Sequence, residues 1–154
     1  MSKASEQLVH GTCVALGRTG ALIRGPSGAG KSDLALRFLY LARRGPAALE
    51  APMLVADDQV LLKRTEEGIE VRTPDAIRGL LEVRGIGIVE VKPAPEATLA
   101  LIIDLVAPEA VERLPQTIPT EEVMGIAVPV VRLAPFENSA PIKLAAAIAR
   151  ARKG

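Results

Sequence analysis

The sequence is poor in aromatic residues: it has no tryptophan, and Phe38, Tyr40 and Phe136 are its only three aromatic side chains. Proteins that bind single-stranded nucleic acid usually stack bases on several aromatic side chains, so the composition argues against that class. The net charge is only +1 at pH 7, which gives no overall field to attract a polyanion. We therefore expect neither nucleic acid nor an anionic membrane surface as a partner.

Cysteine and long apolar runs are also scarce. Cys13 is the only cysteine, which excludes an intramolecular disulfide, and its place in the apolar run TCVAL predicts a buried thiol in a reducing cytoplasm. No apolar stretch approaches the roughly 20 residues that a membrane span needs, and the first residues lack the apolar core of a secretory signal. These features predict a cytoplasmic protein, with residues 1–154 forming a single domain.

Strand and helix patterns alternate along the chain, which predicts an α/β fold. The runs HGTCVALG and GALIRG flank the turn-rich GRTG and predict a hairpin. A helix is predicted from Ser32 to a stop at residues 43–46, and an alanine-rich helix at the carboxyl end. Residues 97–108 predict a strand buried on both faces, residues 108–124 a surface excursion, and Pro129 an edge strand.

Glycine is concentrated where the first predicted hairpin meets the first helix. The stretch GPSGAGKS matches G-x-x-x-x-G-K-[ST] in full, with a strand before it and a helix after it. Glycine backbones and a helix N-terminus make a cradle of N–H groups that suits phosphate. Lys31 could reach the β- and γ-phosphates of a nucleotide, and the Ser32 hydroxyl could ligate Mg²⁺. The alternative is a glycine-rich turn that happens to contain a lysine.

A phosphate loop needs a carboxylate near the metal or the attacking group. Two apolar runs end in aspartate, MLVADD and LALIIDL, and strand patterns alone do not choose between Asp57 with Asp58 and Asp104. The doubled acid is favoured because one carboxylate could assist the metal while the other accepts a proton. The alternative is a pair of turn or capping aspartates.

Two further features carry chemistry. His10 is the only histidine and has the one side chain that ordinarily titrates near neutrality, although a lone histidine is more often structural. In LEVRGIGIVEV, Glu82 and Arg84 stand beside Gly85 and Gly87. The segment could be a helix end with a glycine turn, or a loop that handles metal and phosphate, and spacing leaves both open.

Together, HGTCVAL, GPSGAGKSDLAL, LVADDQV and LLEVRGIGIVEV resemble the catalytic domain of the bacterial HPr kinase/phosphorylase family. The resemblance implies a P-loop kinase variant related to the phosphoenolpyruvate carboxykinase fold, with a mixed sheet and flanking helices. It implies phosphorylation, with ATP and Mg²⁺, of a serine on HPr, the phosphocarrier protein of the sugar phosphotransferase system. It also implies the reverse phosphorolysis and a homo-oligomer, since family members assemble as hexamers.

The resemblance assigns a nucleotide and metal site. It implies that Lys31 stabilises the moving charge and that Ser32 and Glu82 hold Mg²⁺. The implied ATP-binding set is the whole loop: Gly25, Pro26, Ser27, Gly28, Ala29, Gly30, Lys31 and Ser32.

The resemblance also assigns the proton chemistry. Asp58, with Asp57 beside it, would accept the serine proton, and His10 matches an active-site histidine. Arg113, in VERLP, falls where the family has a catalytic arginine.

Departures from the family pattern bear on the direction of the reaction. The chain resembles a short form that has the catalytic core only. The family's PVRPGRN, associated with dephosphorylation, appears here as PVVRLAPFEN, with Arg132 as a loose counterpart, so the kinase direction is expected first.

Other functions remain open at this point: a small-molecule kinase, or a non-catalytic module that senses nucleotide. The basic end of the last helix could dock a partner protein or only complement the helix dipole. Its basic residues are Lys143, Arg150, Arg152 and Lys153.

Overall fold

The apolar runs form short strands in a computed structural model that describes residues 6–41, 50–94 and 96–153. The elements of these ranges, in chain order, are β1 (Glu6–His10), β2 (Thr12–Leu16), β3 (Thr19–Arg24), α1 (Lys31–Leu39), β4 (Pro52–Ala56), β5 (Gln59–Thr65), β6 (Gly68–Arg72), β7 (Leu80–Val83), β8 (Gly87–Glu90), β9 (Ala97–Leu105), β10 (Thr120–Val123), β11 (Ile126–Leu133) and α2 (Ala140–Lys153).

The strands form a mixed nine-stranded sheet and a separate two-stranded hairpin of β7 and β8. The large sheet runs in the order β1-β5-β6-β9-β3-β2-β4, and β11 pairs with both β9 and β10. The pairs β3–β9 and β9–β11 are parallel and the others are antiparallel. The fold is therefore α/β with a mixed sheet, as expected from the sequence.

Strand β9 lies in the middle of this sheet and is buried on both faces, which confirms the expectation from its continuous apolar run. Leu101 and Ile103 join one core cluster, which also contains Leu34 and Phe38 of α1. Ile102 between them joins a second cluster on the other face. Because successive side chains of a strand point to opposite faces, both layers of the core depend on this strand, and α1 packs against one of them.

Of the two interpretations of LEVRGIGIVEV, the helix end was wrong. Residues Leu80–Val83 form a strand, because the glycine turn after them folds β8 back as its antiparallel partner. The surface excursion predicted for residues 108–124 is confirmed, since nearly all of these residues are exposed. It also contains β10, which a tight turn at Met124 and Gly125 (φ 50° and 86°) returns to β11.

Pro129 lies opposite Thr120 of β10 and just before Val130–Leu133, the residues of β11 that pair with β9. It therefore has a strand partner on one side only, in keeping with the predicted edge position.

Helix α1 begins one residue earlier than predicted and ends at Leu39. The predicted stop at residues 43–46 lies outside the described residues. Helix α2 confirms the second predicted helix, and no helix of the described chain is long and apolar enough to cross a membrane.

Basic side chains of α2 take part in contacts within the protein. Arg152 forms an ion pair of 2.6 Å with Glu50 and donates to the Leu16 carbonyl at 3.1 Å. Lys143 donates to Glu137 at 3.0 Å, whereas the side chain of Lys153 lies outside the described set. Arg152 therefore fastens α2 to the end of β2, a structural use that the sequence pattern does not reveal.

Cys13 lies on β2 with no exposed surface, and burial raises the pKa of its thiol to about 12. A thiol that stays protonated and sealed is neither a nucleophile nor a ready site of oxidation. The prediction of a buried core thiol is confirmed.

We expect Cys13 to resist alkylation by iodoacetamide at pH 8 in the folded protein and to react readily in denaturing urea. The native rate should be at least about 100-fold lower, because only the thiolate reacts. Intact-mass time courses measure both rates. Comparable rates in the two conditions would show that the thiol is exposed.

Candidate active site

The glycine-rich loop joins the end of β3 to the start of α1. Gly28 and Gly30 have φ values of 84° and 100°, in the left-handed region that side chains disfavour. Gly30 is also the N-cap of α1, and its carbonyl accepts the first helical hydrogen bond from Leu34 N–H at 2.9 Å. The loop therefore ends at a helix N-terminus, where unpaired N–H groups favour an anion.

Lys31 stands at the base of this loop and is only 7% exposed. Its ammonium donates to the carbonyls of Gly25 at 2.8 Å and Pro26 at 3.0 Å. These contacts satisfy a charge that would otherwise be costly to bury, and they fix the ammonium beside the loop.

Asp57 connects three elements at the end of β4. It is 8% exposed, and its Oδ1 accepts from Ser32 Oγ at 2.7 Å and from Thr12 Oγ1 at 3.0 Å. Its Oδ2 accepts from the Glu82 backbone N–H at 3.2 Å. One carboxylate thus fixes the start of α1, the start of β2 and strand β7 relative to one another.

Asp58 faces a different environment although it is the next residue. Its side chain is 70% exposed, and its Oδ1 lies 3.1 Å from His10 Nε2. Its backbone has a φ of 72°, and its carbonyl accepts from Gly11 N–H at 3.1 Å. The β1–β5 register, in which His10 lies opposite Gln59, brings the histidine to this carboxylate.

These groups line one open cavity of about 650 Å³. Of the predicted loop residues, Gly25, Pro26 and Ala29 do not line it. The predicted site residues that line the cavity are His10, Ser27, Gly28, Gly30, Lys31, Ser32, Asp57, Asp58 and Glu82. Arg84 also lines it, so the charged residues of the β7–β8 hairpin meet the loop and the aspartates in one place.

Asp104 and Arg113 lie elsewhere. Arg24 holds Asp104 through two hydrogen bonds of 2.8 and 3.0 Å and also contacts Glu121 at 2.8 Å, and both carboxylates raise the pKa of Arg24. Asp104 does not line the cavity, so the geometry favours the doubled acid. Arg113 is exposed in the segment that joins β9 to β10, and neither it nor Arg132 lines the cavity.

Sequence reasoning gave no site role to several residues of the cavity, among them Thr12 and Phe136. Thr12 is fully buried beside Asp57, but a threonine within an apolar strand gives no local signal. Phe136 lines the cavity with an exposed ring, and the rarity of aromatic residues in this sequence could have marked it.

The oxygen donors at the loop fit a magnesium ion. Ser32 Oγ and Asp57 Oδ1 are 2.7 Å apart, and the exposed Glu82 lines the same cavity. Mg²⁺ in nucleotide sites is commonly held by one or two carboxylates together with phosphates and water. The described residues contain no cluster of three or more histidine, cysteine or acidic side chains, so the donor set suits an ion shared with a phosphate ligand.

Comparisons with known proteins agree in sequence and structure. The family model of the HPr serine kinase C-terminal domain matches residues 2–152. HPr kinase/phosphorylase from Polaromonas naphthalenivorans (strain CJ2) is 36% identical over 137 residues, which cover 81% of this chain and 40% of that protein. HPr kinase/phosphorylase from Bordetella pertussis is 39% identical over 129 residues, which cover 77% of this chain and 39% of that protein.

A solved structure extends the agreement to the fold. The Hpr(Ser) kinase/phosphatase from Coxiella burnetii matches with a TM-score of 0.77 and 27% identity, covering 96% of this chain and 91% of that chain. The chain spans about two fifths of the length of the curated relatives that it matches.

Substitutions at the two aspartates should separate structural support from chemistry. We expect Asp57→Asn to lower the free energy of unfolding by about 1–3 kcal/mol, because an amide cannot accept from all three donors. Asp58→Asn is the matched control and should change stability by less than about 0.5 kcal/mol, since asparagine tolerates the left-handed backbone. Urea unfolding followed by circular dichroism measures both. Equal losses would contradict the structural role of Asp57.

Proposed function

This chain belongs to the HPr serine kinase C-terminal domain family, and from that membership we propose that it is an ATP- and Mg²⁺-dependent kinase. Its proposed substrate is a serine on an HPr-like phosphocarrier protein of the cytoplasm. We further propose that Gly25–Ser32 is a P-loop within a fold related to phosphoenolpyruvate carboxykinase. The observation that carries the proposal is the meeting of this loop, Asp57, Asp58 and His10 at one cavity.

The loop determines which way a triphosphate would lie. Its backbone N–H groups and the Lys31 ammonium favour the phosphates, while Ser32 is hydrogen-bonded to Asp57. A terminal phosphoryl group near Ser32 therefore lies beside the aspartate pair, which is the arrangement that in-line transfer to an incoming hydroxyl requires.

The two aspartates divide the work in this proposal. Asp57 is buried and occupied by three donors, so it orients the loop and hairpin. Asp58 is exposed and accepts the proton of the substrate serine. The serine oxygen then bonds to the γ-phosphorus as the bond between that phosphorus and the leaving ADP breaks. His10 holds the Asp58 carboxylate through their contact of 3.1 Å, and the proton passes from Asp58 to solvent.

The metal and the cations balance the charge of the phosphates. Ser32, which Asp57 orients through a hydrogen bond of 2.7 Å, and Glu82 would hold Mg²⁺, which when bound would neutralise phosphate oxygens. Lys31 and Arg84 add positive charge from the protein at the loop and at the hairpin. No role is proposed for Arg113, because it lies away from this cavity.

The exposure of Asp58 favours a macromolecular substrate. A carboxylate that is 70% exposed can be reached by a serine presented on the surface of another protein, without a lid that encloses a metabolite. The relatives named HPr kinase/phosphorylase support HPr as that protein.

We expect Asp58→Asn to reduce phosphoryl transfer to purified HPr at least about 100-fold while ATP still binds, because the general base is lost. Intact mass of HPr after incubation with ATP and Mg²⁺ measures transfer, and calorimetry measures ATP binding. Asp75→Asn, an exposed acid outside the cavity, is the control and should retain wild-type activity. Near wild-type transfer by Asp58→Asn would refute the base assignment, and transfer by the wild type to a metabolite instead of HPr would refute the substrate.

We expect Lys31→Ala to weaken ATP binding about tenfold or more and to reduce turnover further, because a charge-assisted contact to phosphate is removed. Calorimetric titration with ATP checks the affinity. Lys143→Ala is the matched lysine control on α2 and should bind ATP normally. Unchanged affinity in Lys31→Ala would contradict the role of the loop.

A further inference from the structure

Phe136 presents an aromatic face to water at the wall of the cavity. The ring is 70% exposed, although the chain has only three aromatic residues. Two of its ring carbons lie 3.0 Å from the point where a Cβ on Gly30 would stand. The ring therefore packs directly on the phosphate loop, and Gly30 leaves the space that it occupies.

The backbone on both sides of this ring is tied to α1. The Arg37 guanidinium donates to the carbonyl of Pro135 and, at 3.3 Å, to the carbonyl of Glu137. Asp33 accepts from Arg37 at 3.0 Å one turn earlier on the helix. Because both neighbours of Phe136 are held by one side chain, the exposed ring has a defined position next to the loop.

Phe136 and the aspartates line one cavity but contact different parts of the loop, the ring at Gly30 and Asp57 at Ser32. Ser32 contacts Asp57, whereas the segment of Phe136 is held by Arg37, which lies about 140° around the helix axis from residue 32. A triphosphate whose terminal group faces the aspartates therefore extends its other end away from them. The cavity of about 650 Å³ lies within the usual size range for small-molecule sites.

We propose that Phe136 is the platform on which the base of the bound nucleoside triphosphate stacks. Stacking on an aromatic face suits any nucleobase and is strongest for the larger purines. It gives the site a preference for a nucleotide over bare polyphosphate that the loop alone cannot supply. This inference rests on the proposed function, because it requires the loop to hold the phosphates.

The first test compares ATP with inorganic tripolyphosphate, which has the phosphates but no base. Phe136→Ala should weaken ATP binding by about tenfold and leave tripolyphosphate affinity within about twofold of wild type. Tyr40 is an exposed aromatic residue directly after α1 and outside the cavity, so Tyr40→Ala should change neither affinity. Calorimetric titrations in the presence of Mg²⁺ measure the affinity of the wild type and of both variants for ATP and for tripolyphosphate.

The second test uses the absence of tryptophan from the sequence. Phe136→Trp places the sole tryptophan at the proposed platform, and Tyr40→Trp places one away from it. ATP should quench the fluorescence of the first variant with a midpoint at its calorimetric Kd, whereas tripolyphosphate should not. ATP should leave the emission of the second variant unchanged.

Each other result overturns the proposal in a distinguishable way. Equal weakening of ATP and tripolyphosphate by Phe136→Ala would mean that the ring shapes the loop and does not hold a base. Unchanged ATP affinity with a raised KM for HPr would make the ring a contact for the protein substrate. If the wild type binds neither ATP nor tripolyphosphate, the phosphate role of the loop fails first, and the base platform fails with it.

Discussion

The buried carboxylate of Asp57 is the contact on which the arrangement of the site depends. Burying a carboxylate is costly unless donors replace its water, and here Ser32, Thr12 and the Glu82 N–H do so. Each donor belongs to a different element, so the glycine-rich loop with α1, strand β2 and the β7–β8 hairpin are positioned by one group. Together with Leu81, which is fully buried in the core, the hydrogen bond from the Glu82 N–H holds the hairpin where Glu82 and Arg84 line the cavity.

Two adjacent aspartates have opposite surroundings because the chain turns sharply between β4 and β5. Asp58 has a φ of 72°, an arrangement that costs roughly 1–3 kcal/mol for a residue with a side chain. The hydrogen bond from Gly11 to its carbonyl helps to hold it. At this turn the Asp57 carboxylate faces inward to its three hydrogen-bond donors. The Asp58 carboxylate faces outward to His10 and the open cavity. Such strain in a cleft is typical of a functional site.

The parts of the site that a local pattern specifies could be predicted, and the parts made by distant contacts could not. The loop from Gly25 to Ser32 and the doubled aspartate are each contiguous in the sequence. Their spacing and flanking apolar runs were therefore enough to name them as candidate site residues. Asp104 has the same local pattern as Asp57, and only the strand order, which pairs it with Arg24, separates the two. The interpretation of residues 80–83 as a helix end was wrong, because they form a strand by pairing with β8. That pairing depends on a glycine turn whose conformation the local pattern does not specify.

Helix α1 links both ends of the proposed nucleotide site, and its own stability comes from the core. A helix of nine residues is marginal in isolation, but Leu34 and Phe38 are fully buried against the central sheet. That packing fixes the axis from which Ser32 reaches the aspartates and Arg37 reaches the segment of Phe136. The apolar contacts of Leu34 and Phe38 therefore help to position both the carboxylates and the exposed ring, so core packing and ligand geometry are properties of the same short element.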